Sequence, residues 1–557
     1  MPSFAEDTAD LVLRHGRFYP VATPGAVEGS LAVRAGRIVY LGPDEGVSAL
    51  IAAETEVVGL AGRTVTPGLI DAHSHLVSLG RALSEVDLVG TSSYEEVIER
   101  VRARAAQLPA GAWVTGRGWD QNDWQVKQFP DHRPLSAAVP DHPVWMRRID
   151  GHAALLNERA MRQLGLEDSV ADPPGGRFLR DAEGRLSGVL IDEAMAAARA
   201  LGRAPGALMA GGSSEAGIVD AATMEQLEDW ILAGTDHCLQ RGLTTVTDMG
   251  VDESEYDSYA RLRAAGRLPL RAALFLTDEP ELLDAWFARG PQIDPEARLL
   301  VRGVKLYSDG ALGSRGAALI EDYSDEPGNL GLLRTSSGHV ADVCRRALAA
   351  GFQVGVHAIG DRGNLVTLDG IERCFGDPRP EARFRIEHAQ VMRLGDIARM
   401  TELGVIASMQ PTHATSDMPW AEDRVGPERI RGAYAWRRVL EAGGRLALGS
   451  DFPVERVDPL LGLYAAVTRQ DLDGRPAGGW QPDQRLDRTE VLRGFTLDAA
   501  WSLFMEDEVG SLEVGKRADL TVFARDVMAV PAAEIPGVEV DMTLVDGAIA
   551  YRREGAP

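Results

Sequence analysis

The first residues that could do chemistry are His73 and His75, which end the apolar stretch 65–75. On a strand, side chains at positions i and i+2 point to the same face, so both imidazoles would aim at one point. Such a pair suits one metal ion. Pro67-Gly68 breaks the chain before the run, and Leu69-Ile70 is apolar enough for a buried strand. Taken alone, the stretch is explained equally well by two histidines paired by chance in a loop.

Four more residues that could bind a metal or move a proton end later apolar segments: Lys305, His357, His388 and Asp451. Six such placements are hard to produce by coincidence. Imidazole and carboxylate groups are ligands suited to Zn²⁺ and similar ions. An ion held there would act as a Lewis acid and lower the pKa of bound water from about 15.7 toward about 7, which gives hydroxide at neutral pH.

Eight short apolar segments, separated in several places by helical patterns, would carry these residues. After the strand that ends at His75 they are 243–248, 270–276, 303–307, 353–357, 384–388, 405–409 and 446–451. Eight strands with helical crossovers are typical of a (β/α)8 barrel, in which the chemistry lies at the carboxyl ends of the strands. The sequence therefore predicts an α/β fold built on a TIM-like barrel, with the candidate residues on one rim.

The two ends of the chain share short alternating segments and turns, a pattern typical of β-structure. We expect residues 1–66 and 506–557 to pair into one composite β-sandwich, because unpaired edge strands are a liability. The barrel would then comprise residues 67–80 and 240–505. Residues 81–239 are too long for a connecting loop and should form an inserted subdomain after strand 1 that covers the active site.

Within the insertion, a Ser/Thr cluster followed by glutamates predicts a helix over residues 93–108. Four of the ten tryptophans then fall between residues 113 and 145. Clustered tryptophans usually form local core, but they can also line a pocket for an apolar substrate. On the second interpretation, Trp119, Asp120 and Trp124 contact the substrate. The Gly/Ser-rich stretch 205–217 is a candidate mobile lid.

Composition limits the classes of partner. The 557 residues are 45% hydrophobic and 25% charged, and their formal net charge of -25 argues against nucleic acid or an anionic membrane as a partner. Three cysteines without metal spacing favour a reducing compartment. The N-terminal residues lack the features of a signal peptide, and no run reaches membrane-spanning length. We therefore expect a cytoplasmic protein that acts on a small molecule.

Several motifs resemble those of the metal-dependent amidohydrolase superfamily. They are Pro67-Gly-Leu-Ile-Asp-Ala-His-Ser-His75, Val356-His-Ala-Ile-Gly-Asp361, Ile386-Glu-His388, Gly449-Ser-Asp451 and Gly510-Ser-Leu-Glu-Val-Gly-Lys-Arg-Ala-Asp519. Four others are similar to the branch that includes N-substituted formamide deformylases: Gly116-Arg-Gly-Trp-Asp120, Asp150-Gly-His-Ala-Ala154, Lys305-Leu-Tyr-Ser-Asp-Gly-Ala-Leu-Gly-Ser-Arg315 and Met409-Gln-Pro-Thr-His413. The resemblance covers nearly the whole chain.

The resemblance implies hydrolysis at a centre of one or two divalent metal ions, with zinc as the expected metal. By that likeness the metal ligands are His73, His75, His357 and His388, joined by Asp451 as ligand and general base. Lys305 would be carboxylated and bridge two metals; the alternative is a lysine paired with an acid such as Asp309 beside a single metal. His413 and His152 could polarise a substrate carbonyl or stabilise an oxyanion. Arg315 could hold a loop or meet a substrate carboxylate.

Three functions remain open at this point. The leading hypothesis is a hydrolase that cleaves a non-peptide C–N bond of an amide, an N-acyl or N-formyl amine, or a cyclic amide. A deaminase of a nitrogen heterocycle would usually work with one metal and no bridging lysine, so Lys305 counts against it. A non-catalytic scaffold of the same fold would have lost metal ligands, whereas all six are present. The sequence leaves the substrate, the metal count and the oligomeric state open, with a homodimer among the possibilities.

Overall fold

The computed structural model describes residues 8–201, 223–294 and 296–557. Within these ranges the strands, numbered along the chain, are β1 (Leu11–Phe18), β2 (Val27–Arg34), β3 (Arg37–Gly42), β4 (Glu56–Gly59), β5 (Thr64–Pro67), β6 (Leu69–Ser74), β7 (Val86–Asp87), β8 (Val114–Trp119), β9 (Val144–Arg148), β10 (Ala153–Leu156), β11 (Gly176–Arg180), β12 (Leu186–Asp192), β13 (Leu243–Val251), β14 (Arg271–Thr277), β15 (Gln292–Ile293), β16 (Leu299–Tyr307), β17 (Gln353–Ala358), β18 (Arg385–His388), β19 (Ile406–Met409), β20 (Leu446–Leu448), β21 (Leu520–Phe523), β22 (Val540–Val545) and β23 (Ala548–Arg552).

The α-helices in the same ranges are α1 (Leu76–Ala82), α2 (Tyr94–Ala105), α3 (His132–Ala138), α4 (Glu158–Gln163), α5 (Glu193–Leu201), α6 (Met224–Leu239), α7 (Glu253–Ala264), α8 (Pro280–Arg289), α9 (Ser337–Ala350), α10 (Asp361–Phe375), α11 (Leu394–Glu402), α12 (Pro411–Asp417), α13 (Ala421–Arg429), α14 (Trp436–Glu441), α15 (Pro459–Thr468), α16 (Arg488–Gly494) and α17 (Leu497–Ser502). None of the helices in the described part of the chain has the length and apolar character needed to cross a membrane.

Eight parallel strands form a nearly closed barrel in the order β6-β13-β14-β16-β17-β18-β19-β20. The eight apolar segments identified in the sequence supply these strands, so the predicted fold class is confirmed. Two backbone hydrogen bonds join the edges at the carboxyl ends of β20 and β6. The Asp451 N–H donates to the His73 carbonyl at 2.8 Å, and the His75 N–H donates to the Phe452 carbonyl at 2.9 Å. The seam of the barrel therefore lies at three of the candidate site residues.

Strands from both ends of the chain form one sheet in the order β23-β22-β21-β5-β1-β2-β3, with β4 beside β1. β21 lies antiparallel to β5, which places Thr521 opposite Thr66. Only Gly68 separates β5 from the first barrel strand, and a Cβ at this position would lie 2.2 Å from Thr244 Oγ1. Glycine is required there because the chain passes from the terminal sheet directly into the barrel against β13.

The insertion has a sheet of its own in the order β11-β12-β10-β9-β8-β7. Helix α2 covers part of the predicted helical segment, and its N-cap Ser93 accepts a hydrogen bond from the Glu96 N–H, which satisfies one of the free donors of the first turn. The core between this sheet and α2 includes Trp119 and Trp124. The predicted lid at 205–217 lies outside the described residues.

A buried arginine links the barrel to the terminal sheet. Arg271, at the start of β14, is fully buried and pairs with Asp519 at 2.7 Å and with Asp546. Its guanidinium also donates to the carbonyls of Glu296 and Ala297. The two acids flank β21 and β22, so one side chain orients the terminal strands against the barrel.

Removing Arg271 would leave the buried carboxylate of Asp519 without its cation, whereas Asp546 keeps its pairs with Arg298 and Arg517. We expect Arg271→Met to lower stability by about 3–5 kcal/mol, the range typical of breaking a buried ion pair. Arg552→Met is the matched control, because the Arg552–Glu56 pair is exposed and should contribute less than about 1 kcal/mol. Scanning calorimetry would measure both. Equal shifts in Tm would show that the buried pairing matters no more than the surface pair.

Candidate active site

The predicted site residues meet at one end of the barrel. His73 lies in β6 and His75 follows it, while Lys305, His357 and His388 lie at or near the ends of β16, β17 and β18. Asp451 follows β20, and His413 lies in α12 after β19. All seven line one cavity of about 1080 Å³. The structure therefore brings together residues separated by up to about 380 positions, at the carboxyl ends of the barrel strands where such enzymes keep their sites.

Asp451 lies between two groups of possible ligands. Its Oδ1 is 3.5 Å from His73 Nε2 and 3.3 Å from His75 Nε2. Its Oδ2 is 3.6 Å from His413 Nε2 and 4.0 Å from His388 Nδ1. Each group offers three ligand atoms within 4.8 Å of one another. One carboxylate thus contributes to both groups, and His413 joins the second as a potential ligand.

The Nδ1 atoms of three histidines have hydrogen-bond acceptors that belong to neither ligand group. His75 Nδ1 donates to the Met249 carbonyl at 3.0 Å, and His73 Nδ1 lies 2.6 Å from Glu387 Oε2. His388 Nδ1 lies 2.8 Å from Gln410 Oε1. Because these partners are acceptors, the proton of each neutral ring is on Nδ1, and Nε2 keeps its lone pair. This tautomer is the one that a metal ligand needs.

The residues fit a divalent cation. Asp451 Oδ1 and His413 Nε2 are buried without a hydrogen-bond partner among the described residues. Burial and nearby positive charges hold the pKa values of His73, His357 and His388 well below the ordinary range, so the rings are neutral. Burial alone would raise the pKa of Asp451, but its interactions with His73, His75 and His413 outweigh burial and lower the pKa. Neutral imidazoles that face a carboxylate are arranged as ligands around a cation.

Lys305 is buried beside the first group. Its Nζ lies 3.2 Å from His73 Nε2 and 4.9 Å from the centre of the Tyr307 ring. Since His73 Nδ1 is directed at Glu387, Nε2 accepts from the lysine ammonium. Lys305 therefore lies next to the nitrogen that His73 would offer to a metal.

His357 lies near the second group but is not part of either set of three. Its ring centroid is 4.7 Å from that of His388, and its Nε2 is 3.4 Å from the Gly310 carbonyl and 3.6 Å from Asp309 Oδ1. Asp309 accepts backbone N–H groups from Ala318, Ile359 and Gly360, which holds the loops after β16 and β17 together. Burial raises the pKa of this carboxyl to about 7 despite these hydrogen bonds.

Two supporting acids were not identified in the sequence as functional. Glu387 is fully buried, holds His73, and is itself paired with Arg385 at 2.8 Å. Asp71 accepts hydrogen bonds from the N–H and hydroxyl of Ser450 and from the His73 N–H. Their place in the sequence was the one feature that could have indicated them. Glu387 directly precedes His388, and Asp71 lies two residues before His73.

The insertion contributes His152 and Asp120 to the cavity wall. His152 Nδ1 lies 2.7 Å from Asp192 Oδ1, and its ring centroid is 5.3 Å from that of His357. Asp120 pairs with Arg148, a buried cavity residue that Asp150 also contacts. The structure thus places His152 next to the predicted ligands.

Three residues that the sequence predicted as substrate contacts lie outside the cavity wall. Trp119 and Trp124 are 0% and 4% exposed, lie in the core of the insertion, and do not line the cavity. Trp119 also donates its indole N–H to the Met146 carbonyl. Their clustering reflects core packing, since the apolar face of the small sheet has to be covered. Arg315 is likewise absent from the cavity wall, because it pairs with Asp325 at 3.0 Å and Glu326 at 3.3 Å.

Comparisons with known proteins agree with this geometry. The chain is 32% identical over 545 residues to the protein LONG AFTER FAR-RED 3 of Arabidopsis thaliana, with 94% of this chain and 89% of that protein covered. It is 27% identical over 566 residues to the N-substituted formamide deformylase of Arthrobacter pascens, with 98% and 99% covered. The crystal structure of an uncharacterized metal-dependent hydrolase from Pyrococcus horikoshii OT3 superposes with a TM-score of 0.74 at 29% identity, covering 94% and 99%.

A family model described as "Amidohydrolase family" matches residues 56–551, which include both ligand groups and the insertion. The resemblance found in the motifs is confirmed by this match and by the full-length similarity to a formamide deformylase. The chain therefore belongs to the amidohydrolase family, near the branch that includes N-substituted formamide deformylases.

Proposed function

We propose that this protein is a metal-dependent hydrolase that cleaves the non-peptide C–N bond of an amide or N-acyl amine, with Asp451 as the general base. The observation that carries the proposal is the position of Asp451, whose two oxygens face two groups of histidines in one cavity. The similarity to a formamide deformylase over nearly the full length of both chains supports the choice of bond.

The chain's own residues provide what such a reaction needs. His73, His75 and Asp451 would hold one cation, and His388 and His413 with the same Asp451 could hold a second. When bound, a divalent cation supplies Lewis-acid activation of water and of the acyl oxygen. Asp451 lies where a carboxylate can accept the proton of the attacking water and return it to the leaving nitrogen.

The cavity fits a small organic substrate with apolar substituents. Its volume of about 1080 Å³ lies just above the range of ordinary ligand pockets, which is roughly 300–1,000 Å³. Leu83, Val89 and Leu472 line it and keep much of their surface exposed. We infer that the acyl group or the amine carries an apolar substituent that covers these side chains.

A panel assay tests the proposed reaction. The metal-loaded protein should release amines from N-formyl and N-acetyl derivatives of apolar amines, measured by a primary-amine reagent. Nitrogen heterocycles serve as the comparison set, with ammonia as the readout. Ammonia from the heterocycles with no amine from the amides would favour the deaminase alternative, and no turnover of either set would favour the scaffold.

Asp451→Asn keeps the size of the side chain and removes its basicity. We expect kcat to fall by at least the roughly 10²-fold typical of one acid-base group, with most of the bound metal retained. Asp377→Asn is the control, because Asp377 is exposed after α10 and should leave kcat unchanged. A variant at position 451 with kcat within a few-fold of wild type would assign the base to another residue.

Lys305 should be carboxylated and bridge two cations. A plain lysine, with an ordinary pKa of about 10.4, would repel the ions that the histidines bind, whereas a carbamate offers two anionic oxygens. Lys305→Ala should lose activity and about half of the metal measured by elemental analysis, and acetate should restore some activity. Lys127→Ala is the control, since that lysine is exposed in the insertion. Full metal content and rate in the Lys305 variant would support a one-metal centre.

A further inference from the structure

Part of the cavity wall next to His413 is rich in hydrogen-bond acceptors. Asp417 ends α12 four residues after His413, so it lies one helical turn, about 6 Å, further along the same face. Glu455 follows Asp451 by four residues, and Gln390 lies just beyond β18. Asp417, Glu455 and Gln390 all line the cavity. We call these three residues the acceptor wall.

Uncharged groups join the members of the acceptor wall. Asp417 Oδ2 accepts hydrogen bonds from Gln390 Nε2 at 2.9 Å and from the Tyr434 hydroxyl at 2.7 Å. Ser416, the neighbour of Asp417, donates its hydroxyl to Glu455 Oε1 at 2.6 Å. The two acids therefore lie near each other, and neither forms an ion pair with a residue that the structure describes.

The side chain of Gln390 is fixed with its oxygen left over. Gln390 is 4% exposed, and its Nε2 donates both to Asp417 and to the Tyr434 hydroxyl, which lies 2.7 Å away. Both N–H groups of the amide are thus used, and Oε1 is an acceptor without a donor among the described residues. Since buried polar atoms are nearly always hydrogen-bonded, an amide oxygen left over on a cavity wall indicates a donor on the ligand.

Two carboxylate oxygens are left over in the same way. In the described part of the chain, Asp417 accepts side-chain hydrogen bonds through Oδ2 and Glu455 through Oε1, so Oδ1 and Oε2 remain. Together with Gln390 Oε1 they give the acceptor wall three acceptor atoms and two acids. A primary ammonium group has the complementary character, with three N–H donors, one positive charge and no acceptor.

Other cations of the cavity wall do not neutralise these acids. Arg148 pairs with Asp120, and Arg334 pairs with Glu193. Arg456 is exposed, so solvent and salt screen its charge. Within the described residues the acceptor wall therefore has no cation of its own, and a ligand can supply one.

We propose that the acceptor wall binds a protonated amino group, so that the preferred substrate is an N-acyl amine with a second, positively charged nitrogen. The inference rests on the proposed function and specifies its substrate class. The compounds of the panel assay differ in their amine, so the cation is placed on that side. The helical turn between His413 and Asp417 separates the reacting bond from the cation by about 6 Å, which a short methylene chain spans.

Such a site discriminates more strongly than an apolar pocket. Hydrogen bonds between an ammonium and a carboxylate are charge-assisted and stronger than neutral ones. A methyl group in the place of the ammonium would leave the acceptors of the wall desolvated and unpaired, which is how sites built for N–H donors reject analogues that lack them. The acceptor wall would therefore act on substrate choice and affinity, whereas Asp451 acts on the chemical step.

Three acetylated amines of equal chain length test the proposal. N-acetylcadaverine ends in an ammonium, N-acetylhexylamine in a methyl group and N-acetyl-ε-aminocaproate in a carboxylate. Released acetate, measured by proton nuclear magnetic resonance, reports all three. We expect kcat/KM to be about tenfold higher or more for the ammonium compound than for the methyl compound, mainly through KM, and lowest for the carboxylate. Equal kcat/KM for the ammonium and methyl compounds would overturn the proposal.

Variants of the acceptor wall separate recognition from stability. Asp417→Asn and Glu455→Gln each keep the shape of the side chain and remove one acid. Each should lower the ammonium-to-methyl ratio of kcat/KM by about fivefold or more, with the methyl compound changed by less than about threefold. A structural role would lower both substrates alike and leave the ratio unchanged, which would contradict the proposal. Asp87→Asn is the matched control, because Asp87 is an exposed acid of β7 on the same cavity wall.

Binding to the Asp451→Asn protein gives a readout that does not need turnover. In calorimetric titrations this protein should bind N-acetylcadaverine about tenfold more tightly than N-acetylhexylamine, and adding Asp417→Asn should remove most of the difference. If neither the panel nor these amides are hydrolysed, the proposed function fails, while the difference in affinity still decides on the cation site. Equal affinities for the two compounds would refute that site even in an active amidase.

Discussion

A neutral imidazole that is to bind a cation carries one ring proton, and that proton has to lie on the nitrogen that faces away from the cation. Glu387, the Met249 carbonyl and Gln410 do this for His73, His75 and His388. If a ring rotated by 180° so that Nδ1 and Nε2 exchanged places, its N–H would point at the lone pairs of Asp451 or of another histidine. A cation could then not bind. The residues that surround the ligand histidines therefore have to include a hydrogen-bond acceptor for each Nδ1–H.

The barrel closes at the same place, through hydrogen bonds between the ends of β20 and β6. Ser450 bonds Asp71 through its N–H and its hydroxyl, so the end of β20 is fastened to β6 by side chains as well as by backbone. Asp451 is then held opposite His73 and His75 with a φ of 61°, a left-handed conformation. Closure of the barrel and assembly of the ligand groups are one event, because a shift at the seam would separate the carboxylate from the imidazoles.

Much of this was predictable from the sequence. The eight strands could be found because a buried parallel strand reads as a short apolar run, and their last residues could be found because polar groups at such ends are unusual. The supporting pairs could not be found. Glu387 and His73 are 314 residues apart, and nothing in either local sequence indicates the other. Asp192 and His152 lie in an insertion whose register no periodicity specifies.

The tryptophans show a different limit. Trp119 and Trp124 lie in a segment rich in polar and small residues. This sequence pattern is compatible with a pocket wall as well as with a core. The deciding factor is the small sheet of the insertion, whose apolar face needs large side chains to cover it. Asp120, the neighbour of Trp119, does reach the cavity, because adjacent residues of an extended chain point in opposite directions.

The passage from β5 through Gly68 into β6 also affects how the chain can fold during synthesis. The antiparallel neighbour of β5 is β21, so Thr66 has no strand partner until Thr521 has been synthesised. Until β21 has left the ribosome, the terminal sheet has an open edge next to the first barrel strand. Contacts between such distant segments form slowly, and exposed edges promote association between incomplete chains. We therefore expect nascent chains to stop associating through this edge once β21 is released and pairs with β5.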